Sequence, residues 1–134
     1  MILVDTSVWI NHFRGEVTPE TDFLSKALEA NEDVCISGIV LTEILQGVRQ
    51  DKEYKLVRSS LEELILLPMS NQAYYLAADI YRRARFQGET IRNTMDCLIA
   101  ACAVIHHVPL LQRDKDYETI AKFSKLRLVE VKGD

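Results

Sequence analysis

The chain has 134 residues, the length of one ordinary domain, and its 48% hydrophobic and 27% charged residues exclude the disordered and fibrous classes. Its longest apolar runs, such as Leu98 to Ile105, fall short of the ~20 residues that a membrane-spanning helix needs. The net charge of −4 argues against a generic electrostatic grip on a polyanion, so a nucleic-acid role would need positive charge from another source.

In chain order, "ILV" before Asp5-Thr6-Ser7 predicts a short buried strand that ends at a helix start, with Val8, Trp9 and Phe13 on the helix. Thr18-Pro19-Glu20-Thr21 signals a second helix start: a capping hydroxyl, proline in the first turn and acids at the positive end of the dipole. Phe23, Leu24, Ala27 and Leu28 give that helix its apolar face. Asp33 to Ser37 reads as a strand, broken by Ser37-Gly38 before a helix through Ile39 to Val48. Asp51 to Leu64 carries a helical pattern with Tyr54, Val57, Leu61 and Leu64 on one side, and Ile65 to Met69 is the next strand, with Pro68 near its end.

A long helix is expected from Asn71 to Gln87, with Tyr74, Ala77, Ala78 and Tyr81 inward and Gly88 as its stop. Another starts near Thr94 and is apolar on nearly all sides, the pattern of a buried central helix. Val108 to Gln112 reads as strand, Tyr117 to Phe123 as a short helix, Leu126 to Val131 as a last strand, and Lys132 to Asp134 as a frayed tail. Strands separated by helices rather than by tight turns imply a mainly parallel sheet covered on both faces. The expected fold is a three-layer α/β/α sandwich in a single domain, residues 1–134, whose ligands gather at the carboxyl ends of the strands.

Cys35, Cys97 and Cys102 lack C-x-x-C spacing and lie in apolar contexts, so they read as buried thiols of a reducing compartment. His106 and His107 are adjacent and cannot share one helix face as a zinc pair would. The N-terminus carries no basic leader and places Asp5 within its apolar stretch, which argues against a secretory signal and for a cytoplasmic location.

Four acids stand in flanks too apolar for a solvated face: Asp5 after the first strand, Glu43 within "VLTEILQG", Asp96 opening "DCLIAACAV", and Asp114 after "PLLQR". Each has a plain alternative. Asp5 suits a helix cap, Asp96 the positive end of a helix dipole, and Asp114 a turn. Together, however, buried carboxylates are costly unless paired or metal-bound. Asp5 and Asp114 both follow strands, at the edge toward which Asp96 can also point. Such hard oxygen ligands suit Mg²⁺ or Mn²⁺, one or two ions, and the chemistry they favour is phosphodiester hydrolysis. Two divalent ions also bring about +4 of charge to where a phosphate would sit. Arg82, Arg83 and Arg85 are candidates for a backbone-tracking patch, though the same run suits a solvated helix face, and Arg92 and Arg113 lie nearer the acids in sequence.

"ILVDTSVWI", "LTEILQG", "GETIRNTMDCLIAACAV" and "LLQRDKDYETIAK" together resemble the PIN-domain family, and within it the VapC-like toxins, in order, spacing and flanks over nearly the whole chain. The resemblance implies an α/β/α sandwich, a Mg²⁺- or Mn²⁺-dependent endoribonuclease, homodimers and inhibition by a co-expressed antitoxin. It maps the family's three most regular acids onto Asp5, Glu43 and Asp96 and its fourth onto Asp114, with Asp116 as the alternative, because "DKDY" offers both and has Tyr117 where the family often has Phe. The hydroxyl beside the first acid falls on Ser7 or on Thr6, while Thr94 suits either a hydrogen bond near the site or a helix cap. It further implies in-line attack by a metal-activated water, leaving a 5′-phosphate and a 3′-hydroxyl. An Asp-nucleophile phosphatase would need a second Asp where Ser7 stands. The remaining alternative is a non-catalytic binding module on the same scaffold, against which the four acids speak. The amphipathic helices predict a dimer interface drawn from Ile39 to Leu45 and Tyr74 to Tyr81.

Overall fold

A computed structural model describes residues 1–132; Gly133 and Asp134, part of the expected frayed tail, lie outside the described residues. The elements run β1 (Ile2–Val4), α1 (Thr6–Phe13), α2 (Pro19–Glu29), β2 (Val34–Ser37), α3 (Gly38–Gln46), α4 (Asp51–Glu62), β3 (Ile65–Leu67), α5 (Asn71–Phe86), α6 (Thr94–Ile105), β4 (Leu110–Leu111) and α7 (Lys115–Lys122). The strands form a parallel sheet in the order β3-β2-β1-β4. Leu3, Val4, Cys35, Ile36, Leu110 and Leu111 are all buried. Because successive strand residues point to opposite faces, burial of neighbours requires helices on both sides, which makes the α/β/α sandwich. No helix among the described residues is long and apolar enough to cross a membrane.

Local chemistry sets the boundaries. Thr18 and Thr21 form a reciprocal capping box at α2 with Pro19 in the first turn, and Ser37 Oγ accepts from Val40 N to turn β2 directly into α3. Gly88, at φ +75°, stops α5 in the left-handed conformation that glycine adopts without strain. The three cysteines are free and buried.

Two expectations change. The inward face of α5 is Ala73, Ala77, Ile80 and Ala84, while Tyr74 and Ala78 are exposed and Tyr81 is half-buried. The alanine stripe lets α5 approach α6, itself lined by Ala100, Ala101 and Ala103, and close packing wins over burying the larger tyrosines. The last strand, expected over Leu126 to Val131, is reduced to a single parallel bridge between Leu110 and Leu128. Its partner β4 is only two residues long, because the chain beyond Leu111 turns at once into the cap of α7. Only Leu110 N to Arg127 O and Val129 N to Leu110 O, each 2.9 Å, remain of a ladder.

Candidate metal centre

The sheet brings the acids together. β1 and β4 are parallel neighbours, and Asp5 N donates to Leu111 O at 2.9 Å, so the carboxyl ends of both strands lie side by side. Asp5 occupies the N-cap position of α1 but makes no capping hydrogen bond with its side chain. Its carboxylate instead accepts from Tyr117 OH at Oδ1 (2.8 Å) and from Ser7 Oγ at Oδ2 (3.2 Å). Asp96 is in the first turn of α6, yet the cap there is Asn93, whose Oδ1 accepts from Met95 N at 3.0 Å. Asp96 Oδ1 lies 3.2 Å from the same Tyr117 hydroxyl, and its Oδ2 is buried with no hydrogen-bond partner among the described residues.

α7 supplies the other acids. Asp114 is its N-cap, accepting from Asp116 N at 2.9 Å, while Gln112 Oε1 accepts from the Asp114 amide. Asp116 accepts from the Arg92 amide at 3.1 Å, with Arg92 Nε 3.6 Å from its other oxygen. Asp96, Asp114 and Asp116 each offer an oxygen, and these three oxygens lie within 4.8 Å of one another. Asp114 and Asp116, alternatives in the sequence, therefore both stand beside Asp96. Glu43, half-buried on α3, is outside that trio; its Oε1 accepts from Thr6 Oγ1 at 2.7 Å, and its charge acts on Asp5. Of the two hydroxyls offered beside the first acid, Ser7 donates to Asp5 and Thr6 to Glu43.

Burial governs the electrostatics of these acids. With Asp5 only 5% and Asp96 only 6% exposed, burial foremost raises both carboxyl pKa values. Asp96, which also feels Asp5 and Asp114, is pushed up to about 7. Tyr117 is fully buried, and burial together with the two carboxylates drives its phenol far above the usual range, so it stays a proton donor.

Residues 2–123 match the PIN domain family. The chain belongs to the PIN-domain family. Ribonuclease VapC11 of Mycobacterium tuberculosis is 33% identical over 129 residues, which cover 95% of this chain and 96% of that protein. Among solved structures, a chain of VapBC2 from Rickettsia felis, bound to a DNA fragment from their promoter, superposes with a TM-score of 0.76 at 19% identity, covering 96% of this chain and 98% of that one. A chain of a toxin-antitoxin complex from Klebsiella pneumoniae gives 0.68 at 22% identity, covering 86% and 88%. Both structures share the PIN fold with this chain.

In this PIN domain the donor set fits a hard divalent cation: three carboxylates converge, and one of them, Asp96, has a buried oxygen with no hydrogen-bond partner among the described residues. Thr94 is exposed, makes no hydrogen bond to the acids among the described residues, and leaves capping to Asn93. The arginines separate into two groups. Arg92 stands on Asp116, and Arg113, next to Asp114, is paired at 3.0 Å with the buried Glu20. Arg83 donates to the carbonyl of Phe123 at the C-terminal end of α7, about 12 Å of helix away from the acids. Arg82 and Arg85 lie over Phe86 and Tyr81 of their own helix. Sequence reasoning gave Tyr117 no role; its signal was its place directly after Asp116 in "DKDY".

Proposed function

We infer that this protein is a PIN-domain endoribonuclease that acts as the toxin of a toxin–antitoxin pair, and that it depends on Mg²⁺ or Mn²⁺. The observation that carries the chemistry is the convergence of Asp96, Asp114 and Asp116 beside Asp5 at the carboxyl edge of the sheet. VapC11, similar over nearly the whole chain, is named a ribonuclease, and the Klebsiella chain with the same fold belongs to a toxin-antitoxin complex.

Asp96, Asp114 and Asp116 would hold the cation, with Asp5 joined to them through Tyr117 and Glu43 standing behind Asp5 across Thr6. One or two such ions, when bound, would supply an activated water and neutralise charge on the phosphodiester; hydrolysis of its P–O3′ bond would leave a 5′-phosphate and a 3′-hydroxyl. Arg113, held by Glu20 and next to Asp114 in the chain, and Arg92, beside Asp116, would steady the RNA backbone.

The protein would work in the cytoplasm as a homodimer. Ile39 of α3 and Tyr74 of α5, from the two expected interface segments, line one groove with Leu66, Met69 and Met95, and Tyr74, Leu66 and Met95 are exposed. The antitoxin would place an Arg or Lys among the acids, in competition with metal.

The test is cleavage of an RNA panel with Mg²⁺, with Mn²⁺ and with EDTA. Cutting that needs added metal and stops on addition of antitoxin is the expected result; cutting that survives EDTA would remove the metal from the mechanism.

A further inference from the structure

Tyr117 is fully buried, and its hydroxyl lies within hydrogen-bond distance of two carboxylates from distant parts of the chain, Asp5 after β1 and Asp96 on α6. A phenol has one proton to give, so the donor is shared, with the shorter contact, 2.8 Å, to Asp5 and the longer, 3.2 Å, to Asp96. Asp5 has a second donor in Ser7; Asp96 accepts no other side-chain hydrogen bond among the described residues. Both contacts use Oδ1 atoms, which leaves Oδ2 of Asp96 as the buried oxygen without a partner. The same helix turn carries Asp114 and Asp116, so the docking of α7 places two acids and the bridging hydroxyl in one step.

We propose that Tyr117 is a positioning residue of the metal centre: its shared hydroxyl holds the Oδ1 atoms of Asp5 and Asp96 and so fixes the Asp96 carboxylate, beside Asp114 and Asp116, for the cation. The proposal rests on the reading of these acids as a metal site and adds the device that orients them before the ion arrives. Without the hydroxyl, Asp96 loses the one donor it has among the described residues and nothing separates two buried like charges, so its carboxylate turns away from the geometry the ion needs. Partners of this kind, which touch the ligands rather than the ion, are worth tenfold to a hundredfold in metal affinity.

The experiment is a Mn²⁺ titration, free ion read by electron paramagnetic resonance and without RNA, on the full-length protein, Tyr117→Phe and Ile120→Val. Ile120 is buried one turn further along α7 and touches stability without the hydroxyl. Tyr117→Phe should bind Mn²⁺ about tenfold to a hundredfold more weakly, and Ile120→Val as the parent does. Equal affinity in Tyr117→Phe and the parent would overturn the role of Tyr117 while leaving the metal centre standing. A parent that binds no Mn²⁺ would overturn both. Should Tyr117→Phe not fold, proton magnetic resonance of the parent decides: the phenolic proton between the two carboxylates should shift in step with Mg²⁺ occupancy, and a resonance unmoved at saturation refutes the proposal.

Discussion

The two pairs of aspartates at the sheet edge are built differently. Asp114 and Asp116 are secured by the backbone: one caps α7, and the other accepts from the Arg92 amide with a guanidinium nearby. Asp5 and Asp96 instead share the Tyr117 hydroxyl, to which Ser7 adds a second at Asp5, and a buried oxygen of Asp96 is left without a partner among the described residues. The first pair would be held in place in any protein that needed this helix. The second is costly as it stands, a cost that a cation would offset. A residue that serves only the fold should lose stability when neutralised, whereas one that serves a cation should lose function and gain stability without metal.

Asp96→Asn tests this difference with the largest effect. The amide keeps nearly the same shape and removes one of the crowded charges. RNA cleavage should fall by orders of magnitude, while the metal-free protein should melt at the same temperature or higher and should lose the upward shift that metal gives the parent. Asp5→Asn and Glu43→Gln should behave alike, and the losses should not add, because residues that act on one site fail together. Cleavage near the parent rate, with the metal-induced melting shift unchanged, would take Asp96 out of the site.

The pH dependence of stability comes next. In Asp5 and Asp96 burial is the main cause that raises the pKa from the ordinary 3.8, opposed at Asp5 by its hydrogen bonds and reinforced at Asp96 by neighbouring acids that bring it to about 7. The folded chain therefore holds these protons more tightly than the unfolded chain. Without metal, this contribution makes stability fall as pH climbs from near 3.8 toward about 7, beyond which Asp96 adds no further loss. Melts in EDTA across that window should show the decline in the parent and a flatter curve in Asp96→Asn. Equal slopes in the two proteins would mean that Asp96 is not the frustrated member of the set.

Asp114 allows its two duties to be separated. Asp114→Asn retains an oxygen that can cap α7, whereas Asp114→Ala removes the cap and should cost about 1 kcal/mol of stability. If its charge also serves the ion, both variants should lose cleavage, and only the alanine should melt lower. An asparagine variant that cleaves normally would assign Asp114 to the cap alone and leave Asp116 as the ligand from α7.

Much of this arrangement was legible in the sequence because burial writes itself into flanking residues. Asp5 after "ILV" and Asp96 before "CLIAACAV" have flanks too apolar for a solvated face, and the alternation of strand and helix puts Asp5 and Asp114 at the edge toward which Asp96 can point. Tyr117 escaped because a buried aromatic and a buried donor look identical until its partners, more than a hundred residues away in the case of Asp5, are in place. The choice between Asp114 and Asp116 was undecidable from spacing, since on the first turn of α7 a cap and its second neighbour both approach the strand end. The phase of α5 was misread for a similar reason: close packing of alanines is a property of two helices, and the amphipathic pattern of one does not reveal it.

The smallest expected effect concerns the arginines, where the comparison runs along α7 itself. At its acid end Arg113 is anchored by Glu20, whereas at its far end Arg83 donates to the terminal carbonyl of Phe123, the negative end of the helix dipole. If basic groups act on RNA only where the acids are, Arg113→Ala should raise the KM for RNA and reduce its salt dependence, with kcat at saturating substrate largely kept. Arg83→Ala should leave both kinetic constants within error and shift the melting temperature only slightly, as exposed substitutions usually do. Arg82→Ala and Arg85→Ala, whose guanidinium groups lie over aromatics of their own helix, should follow Arg83. A salt-dependent rise in KM in Arg83→Ala would carry the RNA path along the whole length of α7, and one in Arg82→Ala or Arg85→Ala would extend it over α5; the far end of α7 would then be part of the substrate surface and not a helix terminus alone.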